Sequence, residues 1–225
     1  MKQNNAELAH DLKMPIQLIL SCAQMLEMEV SPGSNAEDYL KMLMQSTWQL
    51  QRMLKNALDG EQLRGGQVQL RMDMCDAAAL ARMICARVKL CAAQKGVSLS
   101  FSTNAAEFRM ATDREKLERI LQNLISNALK FTPCGGHVGV DMQVRGDAVE
   151  FSVSDTGCGI AEWDRKRIFQ RGVTSGGHGY GLHIVKRFSE MMGGSVTLES
   201  KVGCGSRFTV RIPLRGGNAG GGYAS

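Results

Sequence analysis

The sequence lacks several features that would each indicate a particular class of protein. No hydrophobic run approaches the ~20 residues that a membrane-spanning helix needs. The first seven residues do not have the basic-then-apolar layout of a signal peptide. The seven cysteines are an odd number with no Cys-X-X-Cys pair, which argues against a disulfide framework and a zinc site. We therefore expect reduced thiols, a cytoplasmic location and no membrane contact by this segment.

Aromatic residues are also scarce, at 5% of the 225 residues, although the chain is basic with a net charge of +5. Residues 1–64 carry 6 basic against 8 acidic residues, and the remainder carries 21 against 14. The basic residues are dispersed and no aromatic stacking platform accompanies them, so we expect no nucleic-acid partner. An anionic small ligand explains the charge of the longer part.

Residues 1–64 have the pattern of two helices. Apolar or small residues recur at alternating steps of four and three, a period near 3.5 that is typical of a helical bundle. The positions are Leu8, Leu12, Pro15, Ile19, Cys22 and Leu26, and then Leu40, Leu43, Thr47, Leu50, Leu54 and Ala57. A turn over residues 31–35 makes the two helices an antiparallel hairpin, which is too small to bury its seam alone. We expect it to form a homodimer with a four-helix bundle.

A second domain is predicted over residues 65–215, after the joint at residues 64–66, with a flexible tail at 216–225. The patterns predict helices over residues 76–95, 113–131 and 180–192, a short helix ending at Phe169, and strands over 67–72, 97–101, 137–144, 148–154, 194–199 and 206–212. Helices with an antiparallel-rich sheet in this order indicate an α+β fold, an α/β sandwich with one helical layer.

The long predicted helix carries a first polar motif. Asn123 and Asn127 are four residues apart and Lys130 follows three later, so the three share a face. Mg²⁺ on a triphosphate needs few protein oxygens, which an amide supplies, and an ammonium group suits a phosphate. Taken alone, the motif is more typical of a solvated stripe.

Two glycine motifs follow. Asp155 ends a predicted strand before Gly157 and Gly159, where a carboxylate can accept the adenine amine while the backbone passes close to the ring. Gly177, Gly179 and Gly181 precede the last helix and leave main-chain N–H groups for phosphate oxygens. Their spacing fits neither a Walker A loop nor a Rossmann fingerprint. Alone, the two motifs would be a plain turn and a flexible hinge.

Together and in this order, the motifs resemble the N, G1 and G2 boxes of the sensor histidine kinases, from about residue 5 to 214. Phe169 resembles the F box, and residues 203–208 the third glycine box. The resemblance implies ATP and Mg²⁺ as cofactors. It places Asn127 on magnesium, Asn123 and Lys130 beside the phosphates, and Asp155 and Phe131 at the adenine. The remaining site residues that it implies are Gly157, Gly159, Ile160, Gly177, Gly179, Gly181 and Leu182.

Residues 10–15 resemble the H box of this family. His10 falls on the outer face of its predicted helix and would be the phospho-acceptor, with Asp11 beside it to accept the proton. Met14 departs from the family, whose commonest subgroup has Thr or Asn there to aim a water in dephosphorylation, so we expect weak phosphatase activity. The lid, residues 170–178, is short, and Arg171 is out of register with the usual lid arginine.

The resemblance implies a kinase that transfers phosphate from ATP to His10 and on to an aspartate of a response-regulator receiver domain. Two alternatives remain open: a non-catalytic module that uses ATP to change shape, and an ATPase or serine kinase of the same superfamily. The other histidines are interpreted as incidental (His137), a tolerated loop residue (His178) and a packing residue (His183). We expect the chain to be the output end of a larger sensor or to take its signal from another chain.

Overall fold

The computed structural model describes residues 16, 19, 21–26, 28, 36, 39, 40, 43, 47, 50, 68–170 and 181–214. The chain divides into two compact units, Met1–Val68 and Gln69–Ser225. Each unit is described by itself. Among the described residues, no helix is both long and apolar enough to cross a bilayer.

All described residues of the first unit between positions 16 and 50 are helical, on both sides of the predicted turn. Four of the predicted seam residues remain about half exposed in the single chain: Ile19, Leu26, Leu43 and Leu50. Thr47 is buried, and its hydroxyl donates to the carbonyl of Leu43 at 2.8 Å. An exposed apolar row on a helix is what a bundle partner would cover. His10, Asp11, Met14 and Pro15 lie outside the described residues.

The second unit contains a five-stranded mixed sheet and a separate two-stranded one. The order in the large sheet is β2-β4-β5-β7-β6, with β2 parallel to β4 and the other pairs antiparallel. β1 pairs antiparallel with β3 in the small sheet. The strands are β1 Asp73–Asp76, β2 Ser98–Thr103, β3 Arg109–Thr112, β4 His137–Arg145, β5 Ala148–Asp155, β6 Ser195–Lys201 and β7 Gly205–Pro213.

Three helices of the second unit accompany the sheet: α1 Ala77–Gln94, α2 Arg114–Phe131 and α3 Gly181–Met191. Aspartates cap the first two helices. Asp76 accepts from the amide of Ala79 at 2.9 Å, and Asp113 from that of Lys116 at 3.0 Å. Each carboxylate satisfies an N–H group that the helix itself leaves unpaired, and its charge favours the helix N-terminus. A 3₁₀ turn, Glu162–Asp164, precedes residues 165–170.

The core of this unit lies between one sheet face and the helices. α2 buries an apolar row, and α3 buries another beside it. β4 alternates buried and less buried residues, as expected for a sheet with one covered face. Fully buried residues include Leu117, Ile120, Leu121 and Leu124 of α2, Ile184 and Phe188 of α3, and Val140, Met142 and Phe151 of the sheet. Burial of the apolar side of α2 fixes the rotation of this helix about its axis. The polar side of α2 therefore faces one region of the domain.

The predicted α+β class is confirmed, with a helical unit followed by a mixed-sheet domain. The strand predicted over residues 67–72 is wrong, since the described residues 68–72 are not in a strand. Pairing begins at Asp73, opposite Thr112 of a strand that the sequence patterns did not reveal. The short helix predicted to end at Phe169 is also wrong, because residues 165–169 form turns.

Candidate functional site

Two asparagines of α2 face the first residue of α3. An ideal Cβ on Gly181 would lie 3.2 Å from Oδ1 of Asn123 and 3.9 Å from Nδ2 of Asn127. Asn123 is buried, and its Nδ2 donates to the carbonyl of Arg119 at 2.9 Å, which turns Oδ1 towards Gly181. The structure therefore brings part of the first motif against the end of the last glycine motif.

The loop after β5 lies against the C-terminal end of the same helix. An ideal Cβ on Gly157 would lie 2.5 Å from the carbonyl oxygen of Phe131, a distance that real Cβ atoms do not adopt. The amide of Gly157 donates to Oδ1 of Asp155 at 2.8 Å. Burial raises the pKa of the Asp155 carboxyl, and hydrogen bonds from the amides of Gly157 and Ser206 oppose that rise. This half-buried carboxylate is an acceptor for a polar N–H group.

Close backbone contacts also tie this loop to the β6–β7 hairpin. A Cβ on Gly159 would collide with the carbonyl of Lys201, and a Cβ on Gly205 with that of Asp155. Both glycines have positive φ, +69° and +95°. Only glycine allows backbone segments to approach this closely, so the β6–β7 hairpin packs directly against the Asp155 loop.

The Ser200 hydroxyl joins the same two segments by hydrogen bonds. It accepts from the amide of Ile160 at 2.8 Å, donates to the carbonyl of Gly205 at 2.9 Å, and lies 3.0 Å from the hydroxyl of Ser206. Arg165 donates to the Ser200 carbonyl at 2.6 Å. Sequence reasoning missed Ser200 and Arg165, because nothing in their local sequence marks a partner that only the folded sheet brings near.

The C-terminal end of α2 carries a second unforeseen contact. Lys95, beyond α1, donates from Nζ to the carbonyls of Leu129 at 2.6 Å and Lys130 at 2.8 Å. A cation there satisfies helix-end carbonyls and suits the helix dipole. The ammonium of Lys130 lies 4.9 Å from the ring centroid of Phe131, which is 39% exposed. The ring of Phe131 is therefore accessible to a ligand.

These contacts form two clusters along one helix. Asn123 and Phe131 are eight residues apart, about 12 Å of helix at 1.5 Å per residue. The middle of the helix offers amide groups of the kind that Mg²⁺ accepts, and the segment at its C-terminal end offers a half-buried carboxylate and an exposed ring. This donor set fits a magnesium nucleotide. Leu182 follows Gly181 in α3. Gly177 and Gly179, with residues 171–178 of the predicted lid, lie outside the described residues.

The region around Phe169 links α3 with the sheet. The Phe169 ring meets that of Phe208 edge-on, at 6.2 Å between centroids and 79° between planes. Nδ1 of His183 lies 3.3 Å from the Phe169 carbonyl oxygen, within hydrogen-bonding geometry. His183 therefore does more than pack within its helix. The ring nitrogens of His137 lie 2.9 Å and 3.1 Å from the hydroxyls of Ser98 and Ser100.

Comparisons with known proteins identify the family. Residues 1–66 match the His Kinase A (phospho-acceptor) domain model, and residues 112–216 match the model of histidine kinase-, DNA gyrase B- and HSP90-like ATPases. The chain belongs to the sensor histidine kinases. The match to the ATPase model makes the second unit of this histidine kinase an ATP-binding domain.

Individual relatives agree with this assignment. Hybrid signal transduction histidine kinase D of Dictyostelium discoideum is 32% identical over 222 residues, 93% of this chain and 14% of that protein. Circadian input-output histidine kinase CikA of Synechococcus elongatus is 32% identical over 222 residues, 92% of this chain and 29% of that protein. This histidine kinase chain thus spans under a third of either relative. The crystal structure of full-length ShkA in complex with AMPPNP has a TM-score of 0.72 at 30% identity, covering 95% of this chain and 46% of that one.

Proposed function

We propose that this chain is an ATP-dependent, autophosphorylating protein histidine kinase that transfers the γ-phosphoryl group of ATP to His10. The observation that carries the proposal is the position of α2, which lies against Gly181 through Asn123 and Asn127 and against Gly157 through Phe131. One rigid helix thus sets the spacing between the two asparagines, proposed to bind the metal and phosphates, and Phe131, proposed to lie near the base. In phosphoryl transfer, the protein contributes mainly such positioning and charge stabilisation.

Each group at the site has a distinct role in the proposed reaction. Asp155 accepts the adenine amine, and Phe131 packs near the base. Gly157, Gly159 and Ile160 allow the backbone to pass close to the ring. Asn127 supplies an amide oxygen to Mg²⁺, which neutralises developing phosphate charge when bound. Asn123 and Lys130 orient the phosphates, together with Gly177, Gly179, Gly181 and Leu182.

The proposed acceptor chemistry belongs to residues 10–14. The imidazole of His10 attacks the γ-phosphorus, the bond from that phosphorus to the β–γ bridging oxygen breaks, and ADP leaves. Asp11 takes the proton released from the ring. The chain acts as a homodimer, whose four-helix bundle would cover the half-exposed Ile19, Leu26, Leu43 and Leu50. The phosphoryl group then passes to an aspartate of a receiver domain. Hydrolysis of that phosphorylated aspartate is slow, because Met14 cannot position a water molecule.

Incubation with γ-labelled ATP and Mg²⁺ tests the kinase activity. The unaltered chain should gain an acid-labile, base-stable label, as expected of phosphohistidine. His10→Gln should remove the label while ADP still binds. His137→Gln is the matched control, since His137 is an exposed histidine of the second unit, and it should label like the unaltered chain.

Two results would contradict the proposal in different ways. A label that persists in His10→Gln would move the acceptor to another residue. An unaltered chain that binds ADP and takes up no label would leave an ATP-binding module without kinase activity.

A further inference from the structure

His183 forms a hydrogen bond between two segments that are far apart in sequence. It lies in the first turn of α3, is half buried, and places Nδ1 3.3 Å from the carbonyl oxygen of Phe169, fourteen residues earlier. A carbonyl oxygen only accepts, so the imidazole must carry its proton on Nδ1. The bond therefore selects one tautomer of the neutral ring.

Each partner is itself anchored to a different part of the site. Phe169 packs edge-on against Phe208 of β7, two residues after Ser206, whose amide donates to the Asp155 carboxylate. His183 follows Gly181, which lies against the amides of Asn123 and Asn127. The His183–Phe169 bond therefore connects the first turn of α3 with β7, the strand whose Ser206 amide donates to Asp155, without involving α2.

We propose that His183 is a positioning residue for nucleotide binding, which holds the first turn of α3 against the Phe169–Phe208 pair through its Nδ1–H group. This inference rests on the proposed function, since it assigns a role within the same nucleotide site. His183 touches no reacting atom. His183 fixes the position of Gly181 relative to the sheet. Loss of the His183 side chain should therefore weaken ATP binding more than it slows phosphoryl transfer.

Nitrogen NMR of the imidazole rings tests the bond without any nucleotide. In ¹⁵N-histidine-labelled protein, the His183 signals are assigned by their absence in His183→Asn. The expected result is a proton on Nδ1 that exchanges slowly. A ring protonated only on Nε2 would overturn the proposal, whether or not the chain binds ATP.

A series of substitutions tests the consequence for binding. Loss of one hydrogen bond in His183→Ala should raise the KM for ATP and the Kd for MgADP about fivefold, with kcat within about twofold. His183→Asn places an amide N–H close to the position of Nδ1 and should restore both constants. His183→Gln extends its amide towards the position of Nε2 and should behave like the alanine variant.

The outcomes separate this inference from the kinase proposal. A chain that binds MgADP but takes up no label contradicts the kinase activity, and the Kd series still decides the role of His183. Equal Kd values in all variants overturn the positioning role. Weak binding by His183→Asn as well as His183→Ala also overturns it, since that result indicates a need for the ring rather than for Nδ1–H.

Discussion

Gly157 lies so close to the carbonyl oxygen of Phe131 that an ideal Cβ at position 157 would be 2.5 Å from that oxygen. The contact joins the loop after β5 to the last turn of α2, and the same glycine donates its amide to Asp155. A glycine is thus required by a backbone approach, and the approach orients the carboxylate. The position and orientation of the Asp155 carboxylate therefore depend on one small residue.

Asp155→Asn should weaken MgADP binding about 10- to 100-fold, because a hydrogen bond to a charged acceptor contributes about 1.5–3 kcal/mol. Calorimetry measures this change. Asp147→Asn is the control, since Asp147 is an exposed aspartate that pairs with Arg211. Equal affinity in Asp155→Asn and the unaltered chain would contradict the assigned role.

The same substitution should change the pH dependence of stability. Burial raises the pKa of Asp155, so the folded state keeps this proton to higher pH than the unfolded chain. The resulting stability is present at acid pH and is lost as pH rises through the folded pKa. Urea unfolding should therefore show Asp155→Asn gaining on the unaltered chain as the pH rises above about 4, the ordinary aspartate pKa. A constant difference between the two would be inconsistent with a raised pKa.

Asn127→Ala should abolish the magnesium dependence of nucleotide binding and reduce labelling about 100-fold or more, as for other groups that stabilise transition-state charge. Gln122→Ala is the matched control on the same helix, because the Gln122 amide bonds to Glu118 at 2.9 Å. Titration of MgADP, and of ADP with a chelator, measures the effect. Retained magnesium dependence would assign the metal to another ligand.

Gly205→Ala and Gly203→Ala separate steric contact from backbone strain within one hairpin. Both glycines have positive φ, but a Cβ on Gly203 meets no heavy atom within 4 Å, whereas a Cβ on Gly205 collides with the carbonyl of Asp155. We expect a loss of about 1 kcal/mol of unfolding free energy at 203 and about 3 kcal/mol at 205. Urea denaturation compares them, and equal losses would show that strain alone matters.

Met14→Thr should accelerate dephosphorylation of a phosphorylated receiver domain, since a hydroxyl can hold a water that a thioether holds poorly. Decay of the labelled receiver is followed with kinase and ADP present. Autophosphorylation should change by less than about twofold, because a phosphatase residue contributes little to the forward transfer. If the unaltered chain already matches the threonine variant, Met14 does not limit the activity.

Local patterns determined much of the second unit. The caps at Asp76 and Asp113 and the hairpin around residue 146 follow from residue types and periodicity over a few positions. The site motifs followed from glycine, amide and carboxylate spacing, combined with the family resemblance. The roles of individual site residues, the dimer and the boundary at residue 64 stay predictions.

Contacts between remote segments were decided only by the tertiary structure. The pairing of β1 with β3, the hydrogen bond from the Ile160 amide to Ser200 and the bond from His183 to Phe169 each join residues at least fourteen positions apart. The sequence determines which side chains and backbone conformations are available, because those preferences act locally. Burial of the apolar face of α2 against the sheet then selects which segments meet. This packing places Gly181 against Asn123 and Gly157 against Phe131 of the same helix.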